Sequence, residues 1–399
     1  MLTEIMTRGP IVELFRLPCV WVGVPSVLAV HLEAFMGLDF SVLTRRGVLL
    51  LGAALIAIPA AAAPAAANPA NGGTAFAETD LVSDVPGRAP LVDPGLVNPW
   101  GLALSATSPL WVANNGSNTA TLYAGGVGGA PVTKAALTVS ISGGAVTGEV
   151  FNDTTDFVLT TPAASGAARF VFSTETGDIT AWSPAVTGTT AVTVAHAEGA
   201  IYRGMALLHT DTGPFLLAAD FRHARVAVFD KAFQPVQQSY SFLRDRFLPR
   251  GYAPFDVAVL DGAIYVAYAK QDAAGEDEVA GRGLGFVDRF DLSGRFVRRM
   301  ASRGPLNAPW ALAIAPASFG RFAGDLLVGN FGDGRINAYD AHGHFRGQLR
   351  DAHRKPLTID GLWALLPGTA VTGGTDTLWF SAGIQDEEHG LVGQIRAAA

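Results

Sequence analysis

Apolar and polar residues alternate in short runs through most of the chain, and the runs echo one another. LLVGNFGDGRINAYD at 326–340 keeps the hydrophobic beats of LLAADFRHARVAVFD at 216–230 while the polar residues between them change. A period of two, with β-branched and aromatic residues at the apolar positions and Gly or Asp between runs, predicts strands joined by tight turns. Six segments share one pattern: PWGLAL (99–104), TGEVFN (147–152), YRGMAL (202–207), PFDVAV (254–259), PWALAI (309–314) and DGLWAL (360–365). Taking Gly101, Gly148, Gly204, Asp256, Ala311 and Gly361 as equivalent pivots gives spacings of 47, 56, 52, 55 and 50 residues.

Each pivot segment is followed by a second strand (LWVAN, FVFST, LLAAD, IYVAY, LLVGN, LWFSA) and a third (TLYAG, ITAWS, VAVFD, FVDRF, INAYD, LVGQI). In three units the third strand ends in Asp before a turn, at Asp230, Asp291 and Asp340, and a fourth strand follows, as in RFVRRMA and FRGQLR. Repeats of this length with four antiparallel strands and almost no helical periodicity predict an all-β fold, a six-bladed β-propeller over 79–399. The last unit runs out of chain after three strands. Thr79 to Asp84 (TDLVSD) is expected to supply the fourth, so that an N-terminal strand closes the last blade and leaves no unpaired edge there.

The N-terminal part follows other rules. Met36 to Arg46 and the following GVLLLGAALIAIPAAAA combine a positive segment, an apolar run and small-residue cleavage options, which identifies 36–67 as an export signal peptide. Arg45 and Arg46 resemble a twin-arginine leader without its usual Phe and Lys, so twin-arginine and general secretory routes both stay open. Residues 1–35 read as an extension upstream of the true start, and 68–78 as a linker. The expected location is periplasmic or extracellular, with no membrane span left after cleavage, because the apolar run falls short of the about 20 residues that cross a bilayer.

The chain is 399 residues long, 49% apolar, with a net charge of -7, and four of its 28 basic residues are lysines. That balance excludes nucleic acid and polybasic membrane contacts. The one cysteine, Cys19, lies in the upstream extension, so the mature chain would hold no disulfide, thiolate nucleophile or Cys-ligated zinc.

If first strands line a channel and second strands return antiparallel, the start of the first and the end of the second share one mouth. The residues before the pivots are Trp100, Thr147, Arg203, Phe255, Trp310 and Asp360, a ring suited to a flat or apolar ligand with a polar handle. The alternative is a structural plug, with the tryptophans capping the core and Arg203 paired to Asp360. Asn114, Asn115, Glu175, Asp220 with His223, Lys270 with Asp272, and Asn330 with Asp333 should reach the same face. So should two acidic loops, QDAAGEDEVAGRG (271–283) and QDEEHG (385–390). Asp360, Asp386, Glu387 and Glu388 are the candidate ligands for Ca²⁺ or another divalent cation, since hard cations take six to eight oxygens. His342 and His344 fall in a turn on the other face, Gly281 to Gly285 opens no helix, and no G-x-S-x-G, HExxH or EF-hand pattern occurs.

The pattern [VL]xx[ND]xxxxRI with P-x-G-L-A strands resembles NHL-type propellers. More loosely, it resembles the regucalcin-type gluconolactonase, paraoxonase and strictosidine-synthase-like group. LVNPWGLA, YAKQD, GFVD, LVGNFGDGRINAYD, IDGLW and DEEHGLVG are together most similar to an uncharacterised family of exported bacterial proteins, over about 79–396. The regucalcin resemblance implies a divalent ion at the channel mouth with Asp360 as a ligand, although Trp or Arg stands where those enzymes show Asn. Three functions stay open. One is binding of a small molecule, glycan or protein at the mouth by a monomer. A second is a metal-assisted hydrolase or lactonase with Asp220 or His389 as general base, and a third is an envelope scaffold without a small-molecule site.

Overall fold

Strand alternation carries through the chain as expected, but the six pivot segments each contain an irregularity that decides which residues face the axis. The computed structural model describes residues 74–398 except 238, 240 and 241. The upstream extension, the signal peptide and linker residues 68–73 lie outside the described residues. The pivots fall in first strands Pro99–Ala103, Val146–Phe151, Tyr202–Thr210, Tyr252–Leu260, Pro309–Ile314 and Leu362–Pro367. Each first strand packs beside that of the next unit, and the last packs beside the first, so the arrangement is propeller-like. Among the described residues the only helical segments are two 3₁₀ turns, Val127–Gly129 and Gly320–Phe322, and no helix is long and apolar enough to cross a membrane.

Every first strand pairs antiparallel with its second strand through a register shift near its start. The shifts fall between Pro99 and Leu102, Val146 and Glu149, Tyr202 and Met205, Pro254 and Asp256, Pro309 and Ala311, and Leu362 and Leu365. The first extra residues are therefore Trp100, Thr147, Arg203, Phe255, Trp310 and Trp363. This corrects the sixth unit: its ring residue is Trp363 and its pivot Ala364, whereas Asp360 and Gly361 precede the strand. Trp363-Ala364-Leu365 repeats Trp310-Ala311-Leu312 letter for letter.

The pivots are small because neighbouring first strands meet there. A Cβ at Gly101 would lie 2.7 Å from the Thr147 carbonyl oxygen, and one at Gly148 2.7 Å from the Met205 nitrogen. Those distances are shorter than van der Waals contact, so glycine is needed for the approach and not for an unusual φ.

The sheets depart from four strands per unit. Two sheets have four strands: 252–302, and 309–348. The first and second units merge into an eight-stranded sheet through a parallel junction of their outer strands, Thr190↔Ser140 and Ala191↔Ile141. Among the described residues the sheet of the third unit has three strands, and Pro235 is bridged to Phe229 while the Val236 N–H donates to the Val228 carbonyl. The last sheet has five: Phe76–Ser83 pairs antiparallel with His389–Ala397, and the short Leu91–Val92 adds in parallel. That closing strand begins at Phe76 and not at Thr79, and Phe76 is buried against Phe319 and Phe322, so the expected linker ends sooner.

The apolar core is divided into layers between consecutive units. One holds Trp111 and Phe170, stacked at 3.8 Å, and another holds Phe76, Phe319, Leu362 and Phe380. The turn aspartates do what their chemistry suits. Asp230, Asp291 and Asp340 each accept two backbone N–H bonds across the turn, and His344 Nδ1 pairs with Asp340 in the same turn.

Candidate functional site

The expected mouth is filled. Trp363 lies between Trp100 (3.6 Å, 20°) and Phe331 (4.1 Å, 25°), with Trp310 edge-on at 5.7 Å and Phe255 at 5.8 Å. Its indole N–H donates to Asn98 Oδ1 at 3.2 Å, and it is 1% exposed. Offset and edge-to-face contacts at these separations hold an apolar plug together. Thr147 is buried too, donating to the carbonyls of Ser173 and Tyr202.

Arg203 covers the plug. Its guanidinium carbon lies 5.3 Å from the Trp100 ring centre and 5.7 Å from that of Phe221. It donates to Glu175, to the Glu276 carbonyl at 2.7 Å and to Asp277 at 2.9 Å, so its partners are Glu175 and the 271–283 loop and not Asp360. Burial lifts Glu278 to about 7 against the pull of Arg203, and burial likewise raises Glu387.

The other sequence candidates hold loops in place. Asp220, fully buried, accepts from His223 Nδ1 and Arg225 Nε within its own hairpin, as Asn114 and Asn330 tie theirs. His389 Nδ1 pairs with Asp84 at 2.8 Å and so fastens the closing strand. Asp360 accepts the Gln385 N–H at 2.9 Å. Gln385, Asp386 and Glu387 take φ of 56°, 55° and 66°, a left-handed turn that brings Glu387 toward Arg203 and Trp363 while Asp386 and Glu388 stay exposed. Among the described residues no three His, Cys, Asp or Glu side chains are grouped to hold a metal ion. Asp360, Asp386, Glu387 and Glu388 are thus not gathered as one ligand set.

The open space lies beyond the plug. A cavity of about 390 Å³ occupies the channel, lined by all six first strands and floored in part by Trp310, the one member of the predicted ring that reaches it. Exposure rises toward the strand ends, where Leu104, Phe151, Val259, Leu260 and Leu366 are half-buried, so the cavity opens on the face opposite the plug. Its inner wall is apolar except for two carboxyls, and Asp153 and His209 line its outer end. Glu149 is 6% exposed and both its oxygens lack a hydrogen-bond partner, and Asp256 is 7% exposed. Burial pushes both well above the usual carboxylate range. Asp256 fits because its neighbour is Gly204: a Cβ there would lie 1.8 Å from Asp256 Oδ1. At the outer end His209 Nε2 pairs with Asp153 at 3.1 Å, both exposed. A second, larger groove of about 490 Å³ beside Phe215 and Phe242 lacks buried ionisable groups.

Neither carboxyl was singled out as a candidate from the sequence, yet a signal was there. With the sixth unit in register, the pivot column reads Gly, Gly, Gly, Asp, Ala, Ala and the next reads Leu, Glu, Met, Val, Leu, Leu. Asp256 and Glu149 each break a column that is otherwise small or apolar.

No family model matches the chain. By sequence it is similar to uncharacterized protein R648 of Acanthamoeba polyphaga mimivirus, 33% identical over 327 residues covering 79% of this chain and 78% of that protein. A second protein of the same virus, L690, is 32% identical over 321 residues, covering 76% of this chain and 81% of the relative. Among solved structures a streptogramin B lyase aligns with a TM-score of 0.47 at 11% identity, covering 81% of this chain and 97% of that one. The expected restriction to bacteria is corrected by these viral relatives. At this identity and coverage, the chain belongs to the family of the mimivirus proteins R648 and L690.

Proposed function

We propose that the protein is an exported, monomeric six-bladed propeller that binds a small molecule in its channel, on the face opposite the aromatic plug. The six-blade count treats the eight-stranded sheet as two blades joined at their rims, which the cyclic packing of six first strands supports. Export rests on the leader at 36–67.

The observation that carries the binding reading is a pair of buried carboxyls on the apolar inner wall of the channel, one of them without any partner. A buried polar group without a hydrogen bond costs about 1–3 kcal/mol, so such groups mark places where something else supplies the bond. The cavity volume suits a small organic ligand.

The test is a fragment screen by ligand-observed NMR on the wild-type protein and on Leu207→Trp, which fills the half-buried outer part of the channel wall. Fragments that bind the wild type should lose their signal in the variant. If no fragment binds, or if the variant binds them equally, the channel is not the site.

A further inference from the structure

Resting on the channel-site reading, we infer that the ligand is an organic amine: an ammonium group seated against Glu149 and Asp256, with an apolar body along the channel wall. Glu149 has two oxygens and no donor for either, and the one basic side chain lining the cavity, His209, sits at the open end with Asp153 as its partner. The protein supplies no charge for either carboxyl, and Arg203, on the same strand as Gly204, is turned to the plug and engaged by Glu175 and Asp277.

A carboxylate taken out of water needs a cation with hydrogen bonds to spare, and an ammonium group has up to three donors. Both carboxyls belong to strands that flank the Tyr202–Thr210 strand, and Gly204, having no Cβ, leaves room beside that strand for the Asp256 carboxyl. Trp310, which lines the same space, adds an aromatic face attractive to a cation. A neutral ligand of the same shape would leave the carboxyls protonated and gain only apolar contact. An anion would meet two buried acids, and the one base lining the space, His209, sits at the outer end paired with Asp153. The raised proton affinity of Glu149 and Asp256, caused by burial, agrees with a site whose charge partner comes with the ligand.

The experiment compares hexylamine, phenethylamine, hexanol and hexanoate by isothermal titration on the wild-type protein, Glu149→Gln, Asp256→Asn and Leu207→Trp. The amines should bind the wild type, hexanol and hexanoate should bind far more weakly, and each amide variant should weaken the amines by roughly tenfold or more while leaving hexanol unchanged. Far-ultraviolet circular dichroism and a melt for each variant separate lost binding from lost folding, and the two amide variants serve as independent checks. If hexanol binds as tightly as hexylamine and Leu207→Trp abolishes both, the channel site stands and the amine inference falls. If no compound binds and the fragment screen is also empty, both fall.

Discussion

Replacing Glu149 by Gln should change how stability depends on pH, and the size of the change follows from its surroundings. Glu149 is 6% exposed, lies in an apolar wall and has no partner for either oxygen, so burial raises its pKa and the folded protein keeps its proton. In the unfolded chain a glutamate titrates near about 4.3. Below that value both states are protonated and the group has no pH effect. Above it the unfolded state loses the proton while the folded state retains it, so stability falls as pH rises, by about 1.4 kcal/mol per unit, until the folded carboxyl itself ionises.

Gln cannot titrate, and its unpaired amide adds an offset that does not vary with pH. Glu78, Glu278 and Asp288, each lifted to about 7, add similar slopes to wild type and variant and cancel in the difference. Equilibrium urea unfolding followed by tryptophan fluorescence at pH 5 and 6 should therefore show Glu149→Gln gaining about 1.4 kcal/mol on the wild type between them. Parallel pH profiles would mean that Glu149 is ionised when folded and has a partner or solvent access, and would overturn the buried proton.

Two further outcomes follow from the plug and the closing strand. Trp363→Ala removes a side chain that is 1% exposed and contacts four aromatic rings, and should cost about 3–5 kcal/mol, lowering Tm by roughly 6–15 °C in a calorimetric scan; a drop under about 2 °C would mean the plug is not structural. Deleting 76–83 leaves one edge of the His389–Ala397 strand unpaired from Leu391 to Ala397 and exposes the pocket of Phe76, so thermal stability should fall sharply, and a change under about 2 °C would overturn the closure.

Much of the fold is legible because it repeats. Strand alternation, the turn aspartates at 230, 291 and 340, and small pivots at Gly101, Gly148 and Gly204 are local requirements, met by residues whose reason for being there lies within a few positions or one neighbouring strand. The closing strand was also legible, since a three-stranded last unit calls for a partner.

The site was not legible, for a physical reason. A strand's period states which residues share a face, but the bulge near each pivot changes that phase, and only strand pairing reveals where the extra residue falls. An error of three residues in the sixth unit thus put Asp360 in the ring in place of Trp363, whereas the columns that Glu149 and Asp256 interrupt read alike in either register. Arg203 shows the same limit: its charge is plain in the sequence, whereas its partners come from loops tens of residues away. The strands, the repeat and the small residues at the axis follow from the order of residues. Tertiary structure alone decided that the aromatic end is closed, that the opposite end is open and that two acids face the space between, because those outcomes depend on how six separately encoded strands meet around one axis.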